Sequence, residues 1–308
     1  MNKKEFKTID EQIESLSSKG LVINDKEETH DILLRENYFF INGYRHPFLN
    51  SSNKKFIKGT TFEELYSLFL FDRNFRNILF KNLLIIENNI KSIISYQLSK
   101  NYGYKEKDYL KPSNFTQDIK EQRRVQDVLD KMKRQIRVNG SKHTATLHYI
   151  TNYGYIPMWI LVKVLSFGLI NELYGILKDE DKQKICVVYN IDKEDMEIYL
   201  SILSNYRNLC AHEDIVYEHR TQREIPDTIY HKKLDIPTED DTYIYGKNDM
   251  FSLVIILKKM LSEKKFNEFM VEMENELDKL ISNLKTIPYT KIYDILGFPS
   301  NYKDIINM

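Results

Sequence analysis

Residues 72–100, DRNFRNILFKNLLIIENNIKSIISYQLSK, carry the helical pattern that decides the fold. Apolar side chains recur there every three or four residues, which predicts one long helix with a buried face. The inward-facing residues are expected to be Phe75, Leu79, Asn82, Leu83, Ile86, Ile90, Ile93 and Leu98. Such a helix is too apolar along one side to stand alone, so other helices are expected to pack on it.

Helix signals occur on both sides of this stretch. Thr8 with Glu11, and Thr61 with Glu64, form capping-box patterns that predict helix starts, and Gly20 predicts a helix end. Further helices are predicted over 26–36, from about 117 to 138, and over 143–153, 157–166, 168–177, 192–211, 250–261 and 263–283. Residues 103–116 are expected to be a loop, and the Tyr-rich end of the chain to be irregular. We find no convincing strand pair, so the predicted class is all-α, a multi-helix bundle.

Three regions are expected along the chain. Residues 1–60 form an N-terminal helical segment, and residues 61–285 form the helical core. Within the core, residues 219–249 are polar and aperiodic and are interpreted as an insertion. Residues 286–308 are interpreted as a tail packing on the core.

The strongest candidate for chemistry is RNLCAH, residues 207–212. Asn208 and His212 are four residues apart and would share one face of a helix. Arg207 can bring its guanidinium toward that face, and its planar fork suits the oxygens of a phosphate. An imidazole titrates near neutral pH and can move a proton. The alternative for His212 is a structural histidine at a helix C-terminus.

Other chemistry near this motif is disfavoured. Cys210 could be a thiol nucleophile, but its apolar neighbours favour a buried hydrophobic role. His212 and His219 are too far apart in sequence, and too poorly placed on a helix, to favour a metal site. Neither a metal nor a cofactor is therefore expected.

Charge is segregated although the chain has 45 basic and 45 acidic residues. Between Ile119 and Thr144 there are eight basic and three acidic residues, a net charge of +5. This stretch is either a surface that contacts RNA phosphates or an ordinary solvated helix face. The candidate RNA contacts are Lys120, Arg123, Arg124, Lys131, Arg134 and Arg137.

Glu87, an acidic residue on the predicted long helix, has two interpretations. Together with Lys91, four residues later, it can form a helix-supporting ion pair. Alternatively, Glu87 lies beside the motif and orients one of its members. Both interpretations are open at the level of the sequence.

Several blocks of the sequence resemble the Abi-like abortive-infection family of bacteria (the AbiD/AbiF type), whose Arg-Asn-x-x-x-His pattern belongs to the HEPN ribonuclease superfamily. The blocks occur in the family's order: TIDEQIESLSSKGLVI at 8–23, LLRENYFFINGYRHPF at 33–48, FDRNFR at 71–76 with Ile86 and Glu87, His148-Tyr149 with Pro157, Trp159 and Ser166-Phe167-Gly168, and Gly297-Phe298-Pro299. Two positions depart from the family's pattern. Glu213 stands where a second His is frequent, and Lys163 where Glu is frequent.

The resemblance implies a HEPN-like helical core and a metal-independent endoribonuclease acting as an anti-phage toxin of the toxin–antitoxin kind. It implies Arg207, Asn208 and His212 as the catalytic set. Glu87 is the candidate accessory residue, under the open interpretation that it lies beside the motif. It also implies a homodimer through the motif helix. An RNA substrate and control by a structured non-coding RNA are the expected partners.

The rival function is a non-catalytic RNA-binding or scaffold protein that uses the same cationic face. The N-terminus has no apolar signal segment, and the run from Tyr155 to Ile170 is too short and too interrupted to span a membrane. A cytoplasmic protein without a membrane segment is therefore expected.

Overall fold

A computed structural model describes residues 5–308, and these residues form fifteen α-helices. The predicted all-α class is confirmed. In chain order the helices are α1 (Ile9–Ser18), α2 (Lys26–Glu36), α3 (Tyr38–Gly43), α4 (Phe62–Tyr102), α5 (Glu106–Tyr109), α6 (Gln122–Asn139), α7 (Thr144–Tyr153), α8 (Met158–Leu161), α9 (Phe167–Ile176), α10 (Asp179–Cys186), α11 (Lys193–Ala211), α12 (Ile229–Lys233), α13 (Met250–Met260), α14 (Glu263–Asn283) and α15 (Tyr289–Leu296).

Helix α4 is the axis of the fold. It has 41 residues, which corresponds to a length of about 60 Å at 1.5 Å per residue. The capping box of Thr61 and Glu64 starts it, so the helix predicted there and the one predicted over 72–100 are a single element. They are continuous because the apolar stripe runs without interruption through residues 62–75. Near the C-terminal end of α4, Ile94 is fully buried, whereas Ile93, which was predicted to face inward, is only partly buried.

The other long helices surround α4. Helices α14 and α11 pack along it, α9 packs between α11 and α6, and α8 and α10 cover its C-terminal half. One hydrophobic core draws side chains from Ile13 to Ile305. The motif helix α11 therefore lies directly against the central helix.

Several predicted boundaries were wrong, mostly at short elements. The expected loop at 103–116 contains α5, the expected irregular tail contains α15, and α10 was not predicted. The helix expected over 157–166 ends at Leu161. Each of these elements has ten residues or fewer, too short for periodicity to identify with certainty.

The polar region 219–249 also has local structure. It contains α12 and a small antiparallel hairpin, β1 (Thr238–Glu239) and β2 (Thr242–Tyr243), although no strand pair was expected. His231 of α12 is fully buried, and its Nε2 atom donates to the Gly246 carbonyl at 2.9 Å. The hairpin was missed because its strands have two residues each, which is below the length at which alternation is visible.

Candidate active site

The RNLCAH motif occupies the last turn of α11 and the first residue beyond it. Asp192 is the N-cap residue of this helix, and its side chain accepts no capping hydrogen bond. The His212 amide donates to the Asn208 carbonyl at 3.0 Å, and Glu213 then turns the chain with a left-handed φ of 59°. The Asp214 amide returns to the Leu209 carbonyl at 3.0 Å, which closes the helix end. His212 is therefore at the C-cap position.

His212 and Asn208 are both exposed at this helix end. Within residues 5–308, neither side chain makes a hydrogen bond to another residue of the protein. The C-cap position suits a structural cation, because the helix dipole is negative there. It equally leaves both ring nitrogens accessible to a ligand. Position alone does not separate these two interpretations of His212.

Arg207 is directed toward the central helix. Its Nε atom donates to Glu87 Oε2 at 3.1 Å, and its guanidinium carbon lies 5.9 Å from the centroid of the Phe80 ring. The side chain keeps about a quarter of its surface exposed (27%). Within the described residues, its two terminal nitrogens make no hydrogen bond. Arg207 is thus oriented through Nε, and its two terminal nitrogens remain without a hydrogen-bond partner among these residues.

Glu87 is the buried partner of this arginine. Its side chain is 4% exposed, and its second oxygen accepts a hydrogen bond from Lys91 Nζ at 2.7 Å. Both interpretations of Glu87 are thus visible in the geometry, because it pairs with Lys91 and also contacts Arg207. One carboxylate faces two cations, so the three side chains carry a net charge of +1, and Arg207 is the most exposed of them. Such an arrangement can accept a phosphate.

A second buried cluster holds the segment that follows His212. Asp72 on α4 is fully buried and accepts hydrogen bonds from the Tyr217 amide at 2.8 Å and the Val216 amide at 3.3 Å. The Tyr44 hydroxyl donates to it at 2.7 Å. Arg76, one turn along, forms an ion pair with Asp72. Its Nη1 also donates to the Asp214 carbonyl at 3.3 Å. The chain leaving the motif is therefore fixed to α4.

We assigned no role to Asp72 or Arg76 from the sequence, although a signal was present. They lie three residues before Phe75 and Leu79 and so share the inward face of the helix. Charged residues on a buried face are rarely tolerated without partners. That rule could have marked both as members of a buried network.

Burial raises the pKa of two groups in this region. It raises the pKa of Asp72 to about 6, while the guanidinium of Arg76 and the donors from Tyr44 and residues 216–217 oppose the rise. Burial also raises the pKa of the Cys210 thiol to about 12. Cys210 is therefore buried and protonated at neutral pH, in agreement with the hydrophobic role predicted for it.

Residues 31–218 match the family model described as Abi-like protein. The chain belongs to the Abi-like protein family. Family membership implies a part in abortive-infection defence. The matched span includes Asp72 and Glu87 of α4 and the whole motif, and it ends one residue after Tyr217, which Asp72 binds. No curated protein and no solved structure matches the chain.

In this Abi-like protein, His219, the next histidine after the motif, contacts other residues of the protein. His219 is half-buried, with its Nε2 atom 2.7 Å from Asn205 Oδ1 and its ring edge-on to Tyr206. Burial and the nearby charge of Arg220 lower its pKa.

Residues 5–308 contain no group of three or more His, Cys, Asp or Glu side chains placed to hold a metal ion. Among the same residues, no helix is both long enough and apolar enough to cross a membrane.

The six candidate RNA contacts around α6 divide into two sets. Arg124 lies near Glu121 (3.3 Å) and Glu197 of α11 (3.6 Å), and its guanidinium covers Gly175. Lys131 pairs with Asp127 and, at 2.7 Å, with Glu172 of α9. These two cations join helices together. The others are exposed and form no ion pair within residues 5–308: Lys120, Arg123, Arg134 and Arg137.

Proposed function

We propose that this Abi-like protein is a metal-independent endoribonuclease of the HEPN type that acts in anti-phage defence as a growth-arresting toxin. In the proposed reaction the 2′-hydroxyl of RNA attacks the adjacent phosphorus, and the bond to the 5′-oxygen breaks. The 2′-hydroxyl proton passes to a base, and an acid protonates the leaving 5′-oxygen. The products are a 2′,3′-cyclic phosphate and a 5′-hydroxyl end.

The observation that carries this proposal is the orientation of Arg207 by the buried Glu87. A preoriented guanidinium with free donors can stabilise the negative charge that develops on the phosphate oxygens. His212, at the end of the same helix and exposed, is the acid or base. Asn208, exposed one turn before His212, orients the imidazole or the phosphate.

One chain supplies one His212, whereas the reaction needs both a base and an acid. Two chains facing each other across a two-fold axis would supply both groups, so a homodimer through the last turn of α11 is part of the proposal. The exposure of Asn208 and His212 supports it, since an interface there requires an accessible helix end. Control by a structured RNA bound along α6 is also proposed, with the unpaired cations of that helix as its contacts.

The test is expression of the wild type beside His212→Ala, followed by sequencing of cellular RNA ends. We expect the wild type to arrest growth and to generate new 5′-hydroxyl ends, and the variant to do neither. In vitro, the wild type should cleave RNA in EDTA and leave cyclic phosphate ends, because its own side chains supply the proton transfer and the cation.

Equal toxicity of the two proteins at equal expression would contradict the catalytic proposal. It would favour the RNA-binding or scaffold function instead, because phosphate contacts supply most of such binding and none depends on His212. Loss of cleavage on chelation, with recovery on adding Mg²⁺ or Mn²⁺, would contradict the metal-independent mechanism. Circular dichroism of the variant checks that its fold is retained.

A further inference from the structure

Six aromatic rings form a connected row on the surface beyond the C-terminal end of α4. Neighbouring ring centroids lie between 5.3 and 6.3 Å apart. From one end to the other, the aromatic row consists of Trp159, Tyr104, Tyr155, Tyr153, Tyr149 and His148. The row joins two surface loops and the helices α7 and α8, and it contains no residue of the motif.

The row is open to solvent. Tyr153 is 57% exposed, Tyr104 46% and Trp159 45%, whereas most other large rings of the protein are buried. None of the four tyrosine hydroxyls makes a hydrogen bond within residues 5–308. Gly154, in the middle of the row, would have no atom within 4 Å of an added Cβ. Trp159, Tyr104 and Tyr153 are therefore accessible to a ligand.

Cations border the row on one side. Lys105 Nζ lies 5.2 Å from the centroid of Tyr155 and 5.8 Å from that of Tyr104. A shallow groove next to Gly154 is lined by Lys107, Lys133 and Arg137. Glu106 also lines it, but its carboxylate accepts a hydrogen bond from the Ile156 amide. Positive charge thus runs beside exposed rings, a combination that suits an anionic chain carrying planar groups.

We propose that the aromatic row binds single-stranded RNA, with unpaired bases on the rings and the phosphate backbone along Lys105, Lys107 and Arg137. Stacking on aromatic side chains selects unpaired bases, because the faces of paired bases are covered by their neighbours in a helix. It does not depend strongly on sequence, since every base has such a face. This inference takes RNA as the ligand from the proposed function, but it requires no cleavage.

The same proposal has the row act together with the motif on one RNA strand. Glu87, which orients Arg207, lies fifteen residues before Tyr102, the last residue of α4. That separation along the helix is about 22 Å at 1.5 Å per residue. In this proposal the RNA strand runs along that part of the molecule, with unpaired bases on the row and a phosphate at Arg207. The proposed substrate is accordingly RNA with an unpaired stretch, not a continuous duplex.

Trp159 provides a direct readout because it is the one tryptophan of the chain. The experiment uses the full-length His212→Ala protein, in which RNA is expected to stay intact, and an oligouridylate of about 12 nucleotides, within the usual range for single-strand sites. We expect the oligonucleotide to quench Trp159 fluorescence, and the same strand annealed to its complement to quench it far less.

Variants then assign the binding to the row. Replacing Tyr104 and Tyr153 together by Ala should weaken binding of the oligonucleotide by at least about tenfold, the size expected for lost base stacking. Replacing both by Phe should keep the affinity, because the ring faces remain. Tyr96→Ala is the matched control, since Tyr96 is 66% exposed on α4 but outside the row.

Absence of quenching, equal binding of the duplex, or wild-type affinity in the double Ala variant would each overturn this inference. None of these results bears on whether the wild type cleaves RNA. Conversely, a wild type that fails to cleave RNA, with the binding pattern intact, would contradict the proposed nuclease and leave the aromatic row as a single-strand binding surface.

Discussion

Asp72 and Glu87, two of the buried carboxylates of α4, each form an ion pair with an arginine, but the two arginines differ in exposure. Asp72 pairs with Arg76 from its own helix, and the pair is enclosed, with side-chain exposures of 0% and 6%. Glu87 pairs with Arg207 from α11, whose side chain is 27% exposed. The first arginine uses its donors inside the protein, on Asp72, Tyr44 and the Asp214 carbonyl. The second donates to Glu87 through Nε, and within residues 5–308 its terminal nitrogens make no hydrogen bond.

These two pairs show that α4 contacts the chain at both ends of the motif. Glu87 orients the guanidinium at the start of RNLCAH, while Asp72 and Arg76 hold residues 214–217 just after its end. A buried ion pair contributes little net stability but is costly to break. The enclosed pair is therefore expected to control the fold, and the open pair to control the chemistry.

The largest expected effect comes from breaking the enclosed pair. Asp72→Ala leaves Arg76 charged and buried without its partner, and it strands the amides of residues 216 and 217. Loss of one member of such a pair costs about 3–5 kcal/mol of unfolding free energy. Urea unfolding followed by circular dichroism measures this, with Asp31→Ala at an exposed helical pair as the control. A cost below about 1 kcal/mol, the range of surface pairs, would contradict the structural role.

The raised pKa of Asp72 predicts that the free energy of unfolding depends on pH. Burial raises the pKa of Asp72 to about 6 from its ordinary value of 3.8, so the folded state holds this proton more tightly than the unfolded chain. The stabilisation from that proton is complete below pH 3.8 and is lost as the pH rises through 6. Asp72→Asn, which cannot titrate, should lack this contribution. Parallel stability curves for the two proteins between pH 4 and 7 would contradict it.

Breaking the open pair from the arginine side should affect cleavage rather than folding. In Arg207→Ala, Glu87 keeps Lys91 as a partner, so the core remains neutralised. We expect the single-turnover cleavage rate to fall by about 10²–10³-fold, as for loss of one donor to a developing oxyanion. Arg207→Lys should recover little, because an ammonium lacks the planar fork. Arg35→Ala, at an exposed surface pair, is the control. Wild-type cleavage by Arg207→Ala would remove this residue from the mechanism.

Sequence reasoning succeeded where a signal repeats over many residues. The periodicity of 72–100 identified the central helix, and the spacing in RNLCAH predicted Asn208 and His212 one helical turn apart; that His212 is the C-cap residue comes from the structure. It failed for contacts between distant segments, such as Asp72 with Tyr217, because nothing in the local pattern reports which amide a buried carboxylate will meet. For Glu87 the sequence left two partners open, Lys91 and the motif, and the fold supplies both.

A smaller effect should follow from weakening the orientation of Arg207 without removing it. Glu87→Gln keeps an oxygen for Arg207 Nε but replaces a charged hydrogen bond by a neutral one of roughly half the strength. We expect the cleavage rate at saturating RNA to fall by about tenfold, with RNA affinity unchanged. That split identifies Glu87 as a positioning residue. An equal loss in stability and in both kinetic parameters would indicate a purely structural role.

The smallest effects extend the comparison to α6, where Arg124 and Lys131 pair with acidic residues, and Arg123 and Arg134 form no ion pair within residues 5–308. Replacing Arg123 and Arg134 by Ala should lower the log–log salt slope of RNA binding by about 0.7–0.9 for each phosphate that the variant no longer neutralises. The matched Arg124→Ala/Lys131→Ala protein should keep the wild-type slope, because acidic residues already neutralise both cations. Filter binding of the His212→Ala background at several salt concentrations measures both slopes. If the two double variants change the slope equally, ion pairing on α6 does not separate structural cations from binding ones, and RNA must contact the helix along its whole length. If neither changes it, α6 is a solvated face and RNA binds the protein through other cations.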